Sequence, residues 1–151
     1  MSIEVSYYLT GTGWADCDVR SGEERAHLSA SYLSDALNDL VAAVVSLLRG
    51  NSEATAVFEE EPGRFTWRLE RLSPERVRVC IYSLLTEEES QAGPDGALIF
   101  DAECDARAFG MAVKMELERL WRELGPVGYK EKWVEHDFPQ QRLIELRALL
   151  G

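Results

Sequence analysis

Only two histidines, His27 and His136, and three cysteines, Cys17, Cys80 and Cys104, occur among the 151 residues of this chain. Nucleophilic catalysis needs a serine, cysteine or threonine beside a base, and neither histidine sits near a GxSxG elbow or a reactive-cysteine context. No catalytic set is therefore assembled along the sequence, and both histidines read as surface or hydrogen-bonding residues. A structural zinc is disfavoured on the same ground, because neither a CxxC pair nor a Cys/His cluster is present. The cysteines are odd in number, far apart and set among apolar or strand-like neighbours, which fits buried thiols in a reducing compartment.

Long apolar runs are also missing. The longest, residues 40–48, is interrupted by Ser46 and falls well short of the ~20 residues that a membrane-spanning helix requires. The first residues alternate like a strand and carry no basic segment followed by an apolar one, so a cytoplasmic protein without a membrane segment is expected. Positive charge is scarce: 16 Lys and Arg stand against 27 Asp and Glu, for a net charge of −11. Such a surface repels nucleic acid and anionic membranes and attracts a basic partner. The segment Gly11-Thr12-Gly13 lacks the third glycine and the lysine of a phosphate loop and precedes a strand, so no cofactor is expected.

What is present describes one α+β domain spanning residues 1–151. Hydrophobic residues make up 46% and charged residues 28%, the balance of an ordinary globular domain able to fold without staples. Ile3, Val5, Tyr7 and Leu9 alternate with polar neighbours, and residues 14–20 return with Ala15, Cys17 and Val19 on one face and Trp14, Asp16 and Asp18 on the other. Residues 23–32 read as a weaker third strand. Ser34 or Asp35 can cap a helix whose Leu37, Leu40, Val41, Val44, Leu47 and Leu48 form a broad apolar stripe ending at Gly50. Residues 54–60, 64–72 and 76–85 then read as three strands joined by turns at Pro62-Gly63 and Pro74. Phe65, Trp67, Leu69, Val77, Val79 and Ile81 are their share of the core.

Residues 86–96 read as an exposed loop, and residues 97–104 as a further strand. Asp105 caps a second long helix with Phe109, Val113, Leu117, Leu120, Trp121 and Leu124 inward, ended by Gly125-Pro126. Residues 129–138 show no clear period, and Pro139 opens a last amphipathic helix carrying Leu143, Leu146, Leu149 and Leu150. The expected order is β-β-(β)-α-β-β-β-β-α-α, a single antiparallel sheet of six or seven strands with two long helices and the C-terminal helix mainly on one face.

The capped helix through Gly50, followed by Glu60-Glu61-Pro62-Gly63-Arg64-Phe65-Thr66-Trp67-Arg68-Leu69, resembles a group of short, uncharacterised bacterial proteins with an EPG-turn hairpin bearing a tryptophan. The resemblance covers about two thirds of the chain. It implies a bacterial origin and supplies no activity and no site residue.

Three constellations carry possible chemistry. Asp16 with Asp18, and Asp101 with Glu103, each place two carboxylates on one strand face about 7 Å apart, an arrangement that a divalent cation of a hydrolase could use. Alternating acids are equally the solvated face of an antiparallel sheet, and no lysine follows an acid at the spacing of the D…ExK nucleases. Arg64, Arg68, Arg71, Arg76 and Arg78 crowd two neighbouring strands, where cross-strand ion pairs with Glu59, Glu60, Glu61 and Glu70 are the simplest account. RNA binding there would need Trp67 exposed for stacking. Trp14 lies on a polar strand face, either covered by the C-terminal tail or anchoring a partner.

The expectation is a non-enzymatic protein-binding module of the inhibitor or immunity type. Its face for a basic partner would comprise Trp14, Asp16, Asp18, Glu59, Glu60, Glu87, Glu88, Glu89, Asp101 and Glu103. The alternatives are a metal-dependent hydrolase built on Asp16, Asp18, Asp101 and Glu103, and a structural or ligand-binding homodimer formed through the C-terminal helix.

Overall fold

Alternation near the N-terminus produces a three-stranded meander. The computed structural model describes residues 2–134 and 136–151. In it β1 (Glu4–Leu9), β2 (Trp14–Ser21) and β3 (Glu24–Ser31) pair antiparallel in the order β1-β2-β3. The apolar members of each strand (Val5 and Tyr7, Ala15, Cys17 and Val19, Leu28 and Ala30) are buried, so the opposite face is left to the polar set. The third strand, weakest in its alternation, pairs with β2 along its whole length.

After α1 (Ala36–Leu48), a second antiparallel sheet forms from β4 (Glu53–Glu59), β5 (Arg64–Arg71), β6 (Arg76–Leu84) and β7 (Ala97–Asp105), in sequence order. Phe65, Trp67, Leu69, Val77, Val79 and Ile81 all reach the core, at 5% exposure or less. The expected α+β architecture is present, but the single continuous sheet is replaced by two sheets of three and four strands. The reason lies in β3. It starts at Glu24, whose carboxylate accepts the Asp101 N–H of β7 at 3.0 Å. It ends near Ser29, whose hydroxyl donates to Glu60 just beyond β4. The strand thus crosses the second sheet from one edge to the other and pairs with neither.

Two turn glycines are required by close approach. Gly63 and Gly96 both have φ near +92°, and a Cβ would lie 2.1 Å from the Leu84 carbonyl oxygen at Gly63 and 2.0 Å from that of Ser83 at Gly96. No side chain fits either place. The loop before β7 also carries one helical turn, α2 (Glu87–Ser90), closed by a capping box between Thr86 and Glu89.

Asp105 caps α3 (Ala106–Trp133) as its position predicts, its carboxylate accepting the Ala108 N–H at 2.9 Å. At the head of α1 the expectation fails. Asp35 occupies the cap position without a side-chain cap bond, and the Ser34 hydroxyl instead accepts the Glu59 N–H at 3.1 Å, tying the helix to β4. The expected end of α3 at Gly125 is a break with φ of 66°. The chain re-enters helix at Pro126, whose fixed φ suits a first helical position. Tyr129 and Trp133 of this continuation are fully buried, so the segment that looks aperiodic in sequence is a core element. In α4 (Gln140–Leu150), Leu143, Leu146 and Leu150 are buried while Ile144 and Leu149 stay exposed. The stripe offered for a homodimer is used inside the domain, against α1 and α3. Among the described residues no helix is long and apolar enough to cross a membrane.

Candidate functional site

Because the inner residues of the three-stranded sheet alternate strictly, its outer face is composed of Glu4, Ser6 and Tyr8, then Trp14, Asp16, Asp18 and Arg20, then Arg25, His27 and Ser29. The register places Tyr8 opposite Asp16, Asp16 opposite Ser29 and Asp18 opposite His27. Opposed side chains sit within reach of one another. The Tyr8 hydroxyl donates to Asp18, and His27 Nδ1 lies 2.7 Å from the same carboxylate. His27 Nε2 is 3.9 Å from Asp16. The bonds from Tyr8 and then His27 hold the Asp18 carboxyl below the usual carboxylate range. That bond and the nearby acids push the Tyr8 phenol up to about 12, so it remains a donor.

The acidic character extends across sheets. Ser29 binds Glu60, which brings that carboxylate to the edge of the face beside Asp16. Trp14 and Tyr8 are 37% and 38% exposed. The C-terminal tail does reach this corner, where the Gly13 N–H donates to the Lys132 carbonyl at 2.6 Å, yet it leaves the Trp14 ring accessible. At the opposite end of the face a hollow of about 510 Å³ is lined by Glu4, Ser6, Asp18, Arg20, Arg25 and His27. There Arg20 pairs with Glu4 at 2.6 Å.

The other acids named for this face belong to other elements. Asp101 lies on β7 and accepts two bonds from the Arg78 guanidinium, at 2.8 and 2.7 Å, which hold its carboxyl below the usual range. Glu103 is opposite Arg78 on the same sheet. Glu89 is engaged by Ser83 and by the Leu85 and Thr86 N–H groups, leaving Glu87 and Glu88 on α2. Glu59 ends β4, opposite Arg64. The four carboxylates of the metal alternative are thus divided between two sheets. Among the described residues no group of three or more His, Cys, Asp or Glu could hold a metal ion.

The arginine cluster pairs differently from the sequence expectation. Arg68 binds Asp95 at 2.5 Å, Arg78 binds Asp101, and Arg71 donates to the Leu47 and Pro74 carbonyls. Loop and β7 acids, brought close only by folding, take the place of Glu59, Glu60, Glu61 and Glu70. Trp67 is fully buried, which removes the stacking platform that RNA binding would need.

One constellation is absent from the sequence reading. At the head of α1 a cavity of about 630 Å³ is lined by Asp35, Asn38, His136, Phe138 and Gln140 among others. His136 Nε2 lies 3.0 Å from the Tyr32 carbonyl, and its Nδ1 is 3.9 Å from Asp35. Burial raises the Asp35 and Asp39 carboxyls above their ordinary values. The Tyr7 and Tyr129 hydroxyls and Asp35 Oδ1 are buried without a hydrogen-bond partner. Burial, foremost, and the neighbouring Asp35 raise the pKa of both phenols. The only signals in the sequence were an unremarkable cap residue and an aromatic tail, which are separated by about a hundred positions.

Comparison with known proteins adds little. No family model matches the chain, and no curated protein matches it. A solved structure, described as a CdiA-CT/CdiI toxin and immunity complex from Enterobacter cloacae, is similar at 14% identity and a TM-score of 0.48, over 78% of this chain and 98% of that one. A likeness of that degree supports no statement about this chain's function.

Proposed function

We propose that this protein is a binding module that holds a basic protein partner on the outer face of its three-stranded sheet, in the manner of an inhibitor or immunity protein that neutralises a cationic toxin domain. One observation carries the reading: two exposed aromatic rings, Trp14 and Tyr8, stand beside three carboxylates, Asp16, Asp18 and Glu60, on one rigid surface. Aromatic anchors supply contact area at low entropic cost, and a surrounding ring of charge steers and orients the partner. The net charge of −11 extends that steering over the whole molecule. His27 and Tyr8 hold the Asp18 carboxylate in place, so little ordering remains to be done on binding. The module works in the cytoplasm, where its three buried free thiols stay reduced.

The test compares immobilised wild type with Asp16→Lys/Asp18→Lys and with Trp14→Ala, all checked to be folded at the assay temperature, in the same low-salt cell extract. Wild type should retain a basic protein that is released as salt rises, and both variants should lose it. Equal retention by wild type and the charge-reversed variant sinks the reading.

A further inference from the structure

We propose that the cavity at the head of α1 is a binding site for an alkylammonium or guanidinium group, either a lysine or arginine side chain of the partner or a free small amine. The side-chain source rests on the docking reading above; the site itself does not.

The argument is a count of donors and acceptors. A carbonyl oxygen only accepts, so the 3.0 Å contact to Tyr32 requires His136 Nε2 to carry the ring proton. In the neutral ring Nδ1 is then a bare lone pair, and it faces Asp35 Oδ2 across 3.9 Å. Two acceptors at that separation cannot bond each other, but both can bond one donor placed between them. Asp35 Oδ1, on the same carboxylate, is buried and unpartnered. The cavity thus presents two unfilled acceptors, His136 Nδ1 and the Asp35 carboxylate.

Nearby cations are already taken. Lys130 is held by Asp137 at 3.2 Å. The first turn of α1 adds roughly half a positive charge, against which Asp35 and Asp39 bring two carboxylates. A ligand with several N–H donors and a positive charge is the complement of this set. Phe138, Pro126 and Pro139 supply apolar wall for an alkyl stem, in a cavity of about 630 Å³. The location supports a link with docking. Tyr32, whose carbonyl anchors His136, is itself partly exposed and bonds to Gly13, the residue before Trp14.

Calorimetric titration with agmatine, which carries a guanidinium and an amine and no carboxylate, tests the site at pH 8 and physiological salt. Wild type should bind one equivalent saturably, and Asp35→Asn should weaken this at least tenfold. Tyr129→Phe, which removes a buried hydroxyl that does not line the cavity, should bind agmatine as wild type does while leaving thermal stability unchanged or raised. Asp16→Lys/Asp18→Lys should bind agmatine as wild type does, which separates failure of the pocket from failure of the docking face. A micromolar dissociation constant identifies a free small amine as the occupant, and a millimolar one identifies a side chain delivered by a larger partner. No saturable binding, equal binding by Asp35→Asn, or loss of binding in the sheet variant overturns the proposal.

Discussion

The two sheets are built by the same rule and end with different surfaces. Each alternates apolar residues inward and charged residues outward. The four-stranded sheet pairs two of its outward arginines with acids, Arg68 with Asp95 of the loop before β7 and Arg78 with Asp101. The three-stranded sheet pairs Glu4 with Arg20 at one end, but it engages Asp16 and Asp18 with a phenol and a histidine and the Glu60 at its edge with a serine, and it leaves Trp14 and Tyr8 beside them. Guanidinium partners neutralise a carboxylate, whereas hydroxyl donors orient it and leave its charge available. The first surface finds partners for these arginines within the monomer. The second is suited to something else.

Several substitutions would break or sharpen this contrast. The largest effect is expected under the four-stranded sheet, where Trp67 is fully buried against Phe58, ring centroids 5.7 Å apart. Trp67→Ala should cost about 3–5 kcal/mol in denaturant unfolding. Trp14→Ala should change stability by no more than about 1 kcal/mol while weakening partner binding by about 2 kcal/mol or more. If the two tryptophans cost the same in unfolding, the exposed ring is a structural element and the contrast fails. Next in size is Gly96→Ala, which forces a Cβ against the Ser83 carbonyl at positive φ and should lower stability by more than about 1 kcal/mol.

Charge reversal follows. Asp101→Lys/Glu103→Lys should lower the unfolding midpoint by setting a lysine beside Arg78 and leave binding unchanged. Asp16→Lys/Asp18→Lys should abolish binding, with a fall in midpoint that comes only from the lost Tyr8 and His27 bonds. Competition binding and thermal unfolding of the two double variants decide the matter, and a swap of the two phenotypes would assign docking to the wrong sheet.

The smallest effects concern pH and have opposite signs at the two kinds of acid. Asp18 has a depressed carboxyl, so its contribution is present above the ordinary carboxylate value and is lost as pH falls through the depressed one. Asp35 has a raised carboxyl, so its contribution is present below the ordinary value and is lost as pH rises through the raised one. Asp18→Asn should therefore lower the unfolding midpoint at about pH 7, and Asp35→Asn should raise it, with both differences shrinking as pH falls through the carboxylate range. Midpoints that move in the same direction would contradict the assigned environments.

Local periodicity made most of the elements legible. Leu37, Leu40, Val41, Val44 and Leu47 on α1, and Phe65, Trp67 and Leu69 on β5, all reach the core as their spacing predicts. Trp14, Asp16 and Asp18 were legible as one polar strand face. Glu60 was named with them, and so were Asp101 and Glu103, which lie on the other sheet; strand alternation specifies a face and says nothing about which sheet the strand enters. The same limit hid the pocket at the head of α1. Asp35 and His136 meet only because the chain turns at Gly125, re-enters helix to bury Tyr129 and Trp133, and then passes the start of α1.

Interactions within a few residues, together with simple totals, set the elements, their inward faces and the surplus of negative charge. The tertiary structure alone decided the division into two sheets, the partners of the arginines, the exposure of Trp14 and the acceptor-rich cavity. Each of these depends on which distant segments come to lie side by side, and that is settled by how β3 crosses the second sheet and how α3 and α4 close over α1.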